Sequence, residues 1–216
     1  AAGLPLLEHV MEVVRKAGVV RVAVVIGAQS EAFRSLLNGT RVVLQRKRLG
    51  TAHAVLQARK QFEIWKGDLL VLPADAPCVR TETLCDLIRE HRRKQASASV
   101  LTAEVKNPAG YGRILRRRDQ VVGIREELDA TRAERQISEV NSGIYLFDAP
   151  LLFKRLDEVH KNRNKKEYYL TDVIETMVRS GNSVRAHLAN DPNEVLGVNT
   201  RRDLAMANQI LSEREL

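Results

Sequence analysis

The sequence predicts an α/β fold: a mixed, mostly parallel sheet flanked by helices, carrying a small β-rich insertion. Three observations predict it. Amphipathic helical stretches alternate with short, continuous apolar runs through the first half of the chain. Runs of that length, rich in Val, Ile and Leu, suit strands buried on both faces beneath crossover helices. After residue 106 the pattern changes to short alternating stretches broken by Pro108, Gly110, Gly112, Gly123 and Gly143.

The elements follow in order. Leu6, Leu7, Val10, Met11, Val13, Val14 and Ala17 form one apolar helical face, and Gly18 supplies a C-terminal stop. Val22–Ile26 is a buried strand. Gln29–Leu37 reads as helix, Asn38–Gly39 as a turn and Arg41–Leu44 as a short strand. Ala52–Lys60 is helical, and Leu69–Leu72 is a second buried strand closed by Pro73. Thr81 is the expected cap of a helix running to about Gln95. Ser97–Glu104 is strand-like. This strand–helix alternation argues for layers with right-handed crossovers.

Residues 107–148 read as strands and loops inserted beside the main sheet, with a charged stretch from Asp129 to Arg135. Leu151–Val159, Tyr168–Arg179 and Arg201–Glu213 read as helices, with strands at Val184–Leu188 and Val195–Val198 between them. No repeat or low-complexity linker divides the chain, so residues 1–216 are expected to be one domain, with halves 1–106 and 107–216.

Composition narrows the function classes. The chain is 44% hydrophobic over 216 residues, which excludes wholesale disorder. Lys and Arg number 35 against 27 Asp and Glu, a net charge of +8 that favours anionic partners. Aromatic residues make up 4%, too few for a base-stacking platform, which argues against nucleic acid as the partner. The only cysteines, Cys78 and Cys85, have no metal-ligand spacing and point to a reducing, cytoplasmic setting. No apolar run reaches the length of a membrane span, and no signal-peptide pattern is present. The chain starts Ala1-Ala2-Gly3, not Met, and runs almost at once into a helix, so it is expected to be part of a longer gene product.

In open α/β sheets ligands bind beyond the carboxyl ends of the strands. Three segments occupy such positions. Gln45 to Ala54 passes from a strand through Arg46-Lys47-Arg48 to a helix opening at Gly50-Thr51; it suits an anion or a carbonyl, or is an ordinary capped loop. Pro73-Ala74-Asp75-Ala76-Pro77 sets a carboxylate directly after a strand, suited to Mg²⁺ or to a turn hydrogen bond. Asn199 follows Val195–Val198 and opens a helix, as a metal or ligand contact or as a plain cap. His9 and His53 lie on predicted helices and read as structural or solvated. Arg116-Arg117-Arg118 reads as a charged hairpin tip rather than a phosphate patch. Ser-His-Asp order, HExxH and the Walker A pattern are all absent.

Taken in order, several stretches carry a resemblance. They are Pro5-Leu6-Leu7-Glu8-His9-Val10, Leu44-Gln45 with Leu49-Gly50-Thr51-Ala52-His53-Ala54, and Asp75-Ala76-Pro77. Next come Gly110-Tyr111-Gly112-Arg113-Ile114, Glu126 with Asp129-Ala130-Thr131, and Glu139 to Tyr145. Glu167 to Asp172 and Glu194 to Asn199 complete the set. The chain resembles the uridyltransferase domain of the bacterial N-acetylglucosamine-1-phosphate uridyltransferase family, collinearly over nearly its whole length.

The resemblance implies a Rossmann-like nucleotidyltransferase fold, with a nucleotide-binding half at 1–106 and a sugar-binding half at 107–216. It implies the reaction of UTP with N-acetylglucosamine 1-phosphate to give UDP-N-acetylglucosamine and pyrophosphate, serving bacterial cell-wall peptidoglycan and lipopolysaccharide. Uracil contacts fall on Gln45, Gly50 and Thr51, and further nucleotide contacts on Pro73 and Ala74. Sugar contacts fall on Gly112, Glu126 and Asn141, and Mg²⁺ on Asp75 and Asn199. The chain departs from the family pattern in several places. The family's Gly-rich phosphate loop and acetyltransferase β-helix are not among residues 1–216, and the oligomeric state is left open. Leu4 and Leu128 stand where the family usually has basic residues, and Pro73-Ala74 stands where it has an aromatic or small residue and Gly. A relative using another base or sugar, and an inactive ligand-binding homologue, are the competing implications.

Overall fold

The computed structural model describes residues 1–27, 37, 39–118, 120–162 and 166–214. The helix expected over Gln29–Leu37 lies outside them except for Leu37, as does Asn38 of the expected turn. The described elements are α1 (Leu6–Lys16), β1 (Ala23–Gly27), β2 (Arg41–Gln45), α2 (Thr51–Gln57), α3 (Arg59–Phe62) and β3 (Asp68–Val71). They continue with α4 (Thr81–Arg93), β4 (Ala98–Glu104), β5 (Arg113–Arg117), β6 (Gln120–Arg125) and β7 (Glu139–Asp148). Last are α5 (Ala149–Leu156), α6 (Thr171–Arg179), β8 (Val184–Leu188) and α7 (Arg201–Arg214).

β7 organises the larger sheet. Its whole length pairs antiparallel with β4 along one edge. On the other edge its second half pairs antiparallel with β3, and Val140 in its first half meets Arg113 of β5. β8 lies beyond β4, parallel to it, and β6 forms a hairpin with β5. β1 and β2 form a separate parallel pair.

Period-two alternation sorts the core into two layers. Tyr145 and Phe147 of β7 point into a cluster with Leu152, Val173, Ile174 and Met177 of α5 and α6. Ile144 and Leu146 point the other way, against Leu84 and Leu87 of α4, with Val13 of α1 beside them. Helices therefore cover both faces, as the fold class requires.

The structure corrects several expectations. β7 was expected in an insertion beside the main sheet; it is the strand on which β3, β4 and β5 converge. The parallel share is accordingly smaller than the apolar runs suggested: β1–β2 and β4–β8 are parallel, and the other described pairings are antiparallel. Val195–Val198 is not a strand. Pro192 opens a 3₁₀ turn over Pro192–Val195, and a turn of that kind fixes the backbone away from a ladder. The helix expected over Ala52–Lys60 breaks at Ala58 into α2 and α3. Thr81 is the first residue inside α4 rather than its cap, with Arg80 at the cap and its N–H donating to the buried carboxylate of Glu194.

Candidate active site

The segment from Leu49 to Ala52 is stitched to the chain entering α6. Tyr168 N–H donates to Leu49 C=O at 2.7 Å, and Ala52 N–H donates to Tyr168 C=O at 3.0 Å. Thr51 Oγ1 accepts from Leu170 N–H at 2.9 Å. Gly50 sits at φ +102°, where a Cβ would lie 2.5 Å from Tyr168 O. Only glycine fits there, because the clash is with backbone and the conformation disfavours side chains. Gln45, at the end of β2, turns its amide Nε2 to Gly50 C=O at 3.1 Å and to His53 Nδ1 at 2.9 Å. His53 thus has a structural role, as expected. Its Nε2 lies 3.2 Å from Gln57 Nε2.

The second half of the chain supplies the facing wall. Gly112 is buried, its C=O accepting from Asn141 N–H at 2.8 Å. A Cβ at Gly112 would press within 3.1 Å of Ile124. Arg113, 1% exposed, pairs with Glu127 at 2.7 Å, and Glu127 also accepts from Gly110 N–H. That arrangement fixes the 110–112 loop. Asn141 donates from Nδ2 to Tyr145 Oη at 2.7 Å and accepts at Oδ1 from Gly143 N–H at 3.1 Å. Glu126 Oε1 accepts from the Thr171 hydroxyl at 2.9 Å.

A single cavity of about 570 Å³ touches Thr51, Pro73, Ala74, Glu126, Asn141, Gly143, Tyr145 and Thr171. Residues from both halves of the chain therefore meet at one rim. Gln45 and Gly50 stand behind Thr51, and Gly112 behind Asn141, rather than on the cavity surface.

The rim formed by the second half of the chain is acidic. Burial pushes the Asp172 carboxyl up to about 6, helped by the charges of Glu175, Glu126 and Asp129 and opposed by Arg125. Burial, with the Glu126 carboxylate beside it, raises the Tyr145 phenol far above its ordinary range. Tyr169 is pushed up to about 12, again by burial first and then by Glu126 and its neighbours. Both phenols therefore act as neutral hydrogen-bonding groups.

The backbone just before Asn199 is joined to Asp75 without the strand ends expected to place the two residues, and neither residue lines the cavity. β3 ends at Val71, and Asn199 follows irregular backbone. A single bond does the work: Val198 N–H donates to Asp75 C=O at 2.8 Å. Asn199 is exposed, and its N–H donates to Asp203 at 3.1 Å. Among the described residues no three His, Cys, Asp or Glu gather as a ready cage for a metal. The pair offers one carboxylate and one carboxamide oxygen, donors suited to a hard cation that keeps its other positions for water or phosphate.

Thr171, Tyr145 and Gly143 belong to the site although their residue types alone did not mark them. Their signal was present in the Gly143-Ile144-Tyr145 and Tyr169-Leu170-Thr171-Asp172 stretches that carry the resemblance. Arg116 is held by Glu139 at 2.6 Å, in keeping with a charged hairpin rather than a phosphate patch. Cys78 is buried and Cys85 half-buried, both as free thiols.

Comparison with known proteins agrees with this geometry. Residues 1–206 match the family described as Nucleotidyl transferase. The chain is 41% identical over 215 residues to the "Bifunctional protein GlmU" of Syntrophotalea carbinolica, covering 99% of this chain and 46% of that protein. It is 42% identical over 216 residues to the protein of the same name from Pelotomaculum thermopropionicum, with 99% and 47% covered. The chain thus spans about half the length of the curated relatives it matches. Its fold is similar to UDP-glucose pyrophosphorylase complexed with UDP-glucose, at a TM-score of 0.73 and 17% identity, over 97% of this chain and 87% of that one. The apo form of a UDP-glucose pyrophosphorylase gives a TM-score of 0.74 at 17% identity, over 100% and 89%. Among the described residues no helix is long and apolar enough to cross a membrane.

Proposed function

The chain belongs to the nucleotidyl transferase family, and we propose that it is the part of its gene product that transfers a uridylyl group from UTP to N-acetylglucosamine 1-phosphate. The observation that carries this reading is the meeting of Thr51 and Pro73-Ala74 with Glu126 and Asn141 around one cavity. Residues 1–106 would hold the nucleotide and residues 107–216 the sugar.

The chemistry needs no protein nucleophile. A phosphate oxygen of the sugar phosphate attacks the α-phosphorus of UTP in line. The bond from that phosphorus to the bridging oxygen breaks, and pyrophosphate leaves. The protein's tasks are positioning and charge neutralisation. Thr51 faces the nucleotide side of the cavity, and Gln45 and Gly50, the family's other uracil positions, support it from behind. Glu126 accepts from a sugar hydroxyl, its orientation held by Thr171. Asn141 meets a sugar hydroxyl or the acetamido group, its side chain oriented by Tyr145 and Gly143. Asp75 and Asn199 would hold Mg²⁺, which supplies charge neutralisation at the phosphates when bound. The +8 charge suits a reaction whose two reactants and two products are all anionic, without any polymeric partner. A cytoplasmic setting fits the two free thiols.

The test is pyrophosphate release measured with UTP and dTTP, each paired with N-acetylglucosamine 1-phosphate and glucose 1-phosphate. The expected result is the highest kcat/KM for UTP with the acetamido sugar. Equal use of dTTP, or preference for glucose 1-phosphate, would replace this reading with a related transferase. Ligand binding with no pyrophosphate from the full-length gene product would make it a binding protein.

A further inference from the structure

The segment that carries Asp75 is neither helix nor strand. It runs from the end of β3 to Arg80, which opens α4. Its Ala76, Pro77, Cys78 and Val79 are buried, so its course is set by what packs and bonds to it. The stretch from Asp191 to Asn199 lies alongside and runs the opposite way. Hydrogen bonds join the two at both ends. Val198 N–H donates to Asp75 C=O at 2.8 Å, and at the far end Arg80 N–H donates to Glu194 Oε2 at 3.0 Å.

Glu194 is 1% exposed. Packing alone would favour an apolar side chain there, because a buried carboxylate is costly unless a partner answers it. Its partner is the N-terminus of α4, where the helix dipole favours negative charge and Arg80 supplies no side-chain cap of its own. Other links between these segments run through long, part-exposed side chains. Arg80 pairs with Asp191 at 3.5 Å, Arg214 pairs with Asp191 at 2.9 Å, and Arg214 also donates to Cys78 C=O. Such pairs are individually weak and compliant. They keep the segments together without fixing the angle between them.

One bond between two irregular segments is a pivot, and a second bond at the far end fixes their angle. Asp75 and Asn199 stand at the pivot end. We propose that Glu194 is a positioning residue: it caps α4 from across the gap and so sets Asp75 and Asn199 at the spacing a divalent cation needs. The inference rests on the reading of that pair as Mg²⁺ donors. A small, hard cation held by few protein oxygens demands near-ideal placement of them. A slight rotation about the pivot therefore weakens binding before it weakens the fold.

The experiment separates position from charge. The probe is Mn²⁺, and its binding to the full-length gene product is followed by water-proton relaxation. Asp75→Asn identifies the site as the binding lost in that variant. Glu194→Asp keeps the charge and pulls the acceptor back by one methylene. Glu194→Gln keeps the reach and an acceptor oxygen but drops the charge. The Kd for Mn²⁺ at that site should rise roughly fivefold or more in Glu194→Asp and stay within about twofold of wild type in Glu194→Gln. Exchange of the Arg80 amide should quicken in Glu194→Asp and not in Glu194→Gln. Weakening in Glu194→Gln as large as in Glu194→Asp, or larger, would make the carboxylate a remote charge and overturn the proposal. If Asp75→Asn loses the site while both Glu194 variants keep it, with only their thermal midpoints lowered, the metal reading stands and the positioning role is overturned. If Asp75→Asn binds Mn²⁺ as the wild type does, the metal reading fails and takes the proposal with it.

Discussion

The Thr171 hydroxyl donates to Glu126 Oε1 at 2.9 Å, joining residues 45 apart in the sequence. Thr171 is 4% exposed at the start of α6, whereas Glu126 stands at the end of β6 on the cavity rim. Thr171→Val keeps the shape and removes the donor, a loss of about 1 kcal/mol. If Glu126 grips the sugar, KM for the sugar phosphate rises roughly fivefold, with kcat changed less. Thr171→Ser should restore the wild-type value. Steady-state kinetics with the sugar phosphate varied at saturating UTP reads both.

Gly50 is the tightest backbone approach at the site. A Cβ there would lie 2.5 Å from Tyr168 O and 2.8 Å from Tyr168 N, at a φ of +102°. Gly50→Ala must part the Leu49–Tyr168 stitch or strain it, at about 2–4 kcal/mol. Thermal unfolding should show a lower Tm, and calorimetry should show weaker UTP binding. A variant with unchanged Tm would mean that the two segments part freely.

Asp172 should make stability depend on pH. Its folded carboxyl is raised from the ordinary 3.8 to about 6, chiefly by burial and then by Glu175, Glu126 and Asp129, with Arg125 opposing. The folded state therefore binds the proton more tightly than the unfolded state. The stability linked to this proton is complete below about pH 4 and is lost as pH rises through about 6. Asp172→Asn should gain on the order of 1 kcal/mol at pH 7.5, discounted for a half-exposed group, and nothing near pH 4. Urea unfolding at the two pH values measures the difference.

Asp75 and Asn199 should affect the metal requirement more than the fold. Asp75→Asn leaves the backbone bond from Val198 in place, and Asn199 is exposed. Either Asp75→Asn or Asn199→Ala should lower kcat by about 100-fold and raise the Mg²⁺ concentration needed for half-maximal rate about tenfold. Circular dichroism melts should move by no more than about 2 °C. A large fall in Tm with an unchanged metal titration would give the pair a structural role instead.

The sequence reading was strongest where a local pattern decides the outcome. α1 ends at Lys16, two residues before the Gly18 stop, and the runs at Val22–Ile26 and Leu69–Leu72 are strands to within a residue or so. It was weakest where a distant partner decides. Nothing within Glu139–Asp148 says that β3 and β5 will share one of its edges, so β7 was assigned to the periphery. Val195–Val198 has a strand's composition, yet Pro192 and the single bond to Asp75 hold it as irregular backbone. The site residues were legible as ordered stretches. The contacts that orient them, such as Thr171 to Glu126 and Tyr145 to Asn141, arise only when strands and helices meet.

The ladder between β4 and β7 is interrupted once. Val100 pairs with Tyr145 and Thr102 with Asn141, so two steps along β4 match four along β7. The surplus is taken up at Gly143, whose φ is +79°, and Ser142 ties the fold-over down by donating from its hydroxyl to Leu101 C=O at 2.6 Å. In a regular strand, residues four apart stand about 13 Å from each other. Here Asn141 and Tyr145 touch through their side chains. The sheet on either side would close just as well over an uninterrupted β7. Those two surplus residues are thus a place where architecture and chemistry come apart: shortening β7 there would leave a folded protein with the Asn141–Tyr145 and Asn141–Gly143 contacts at the cavity rim pulled out of alignment.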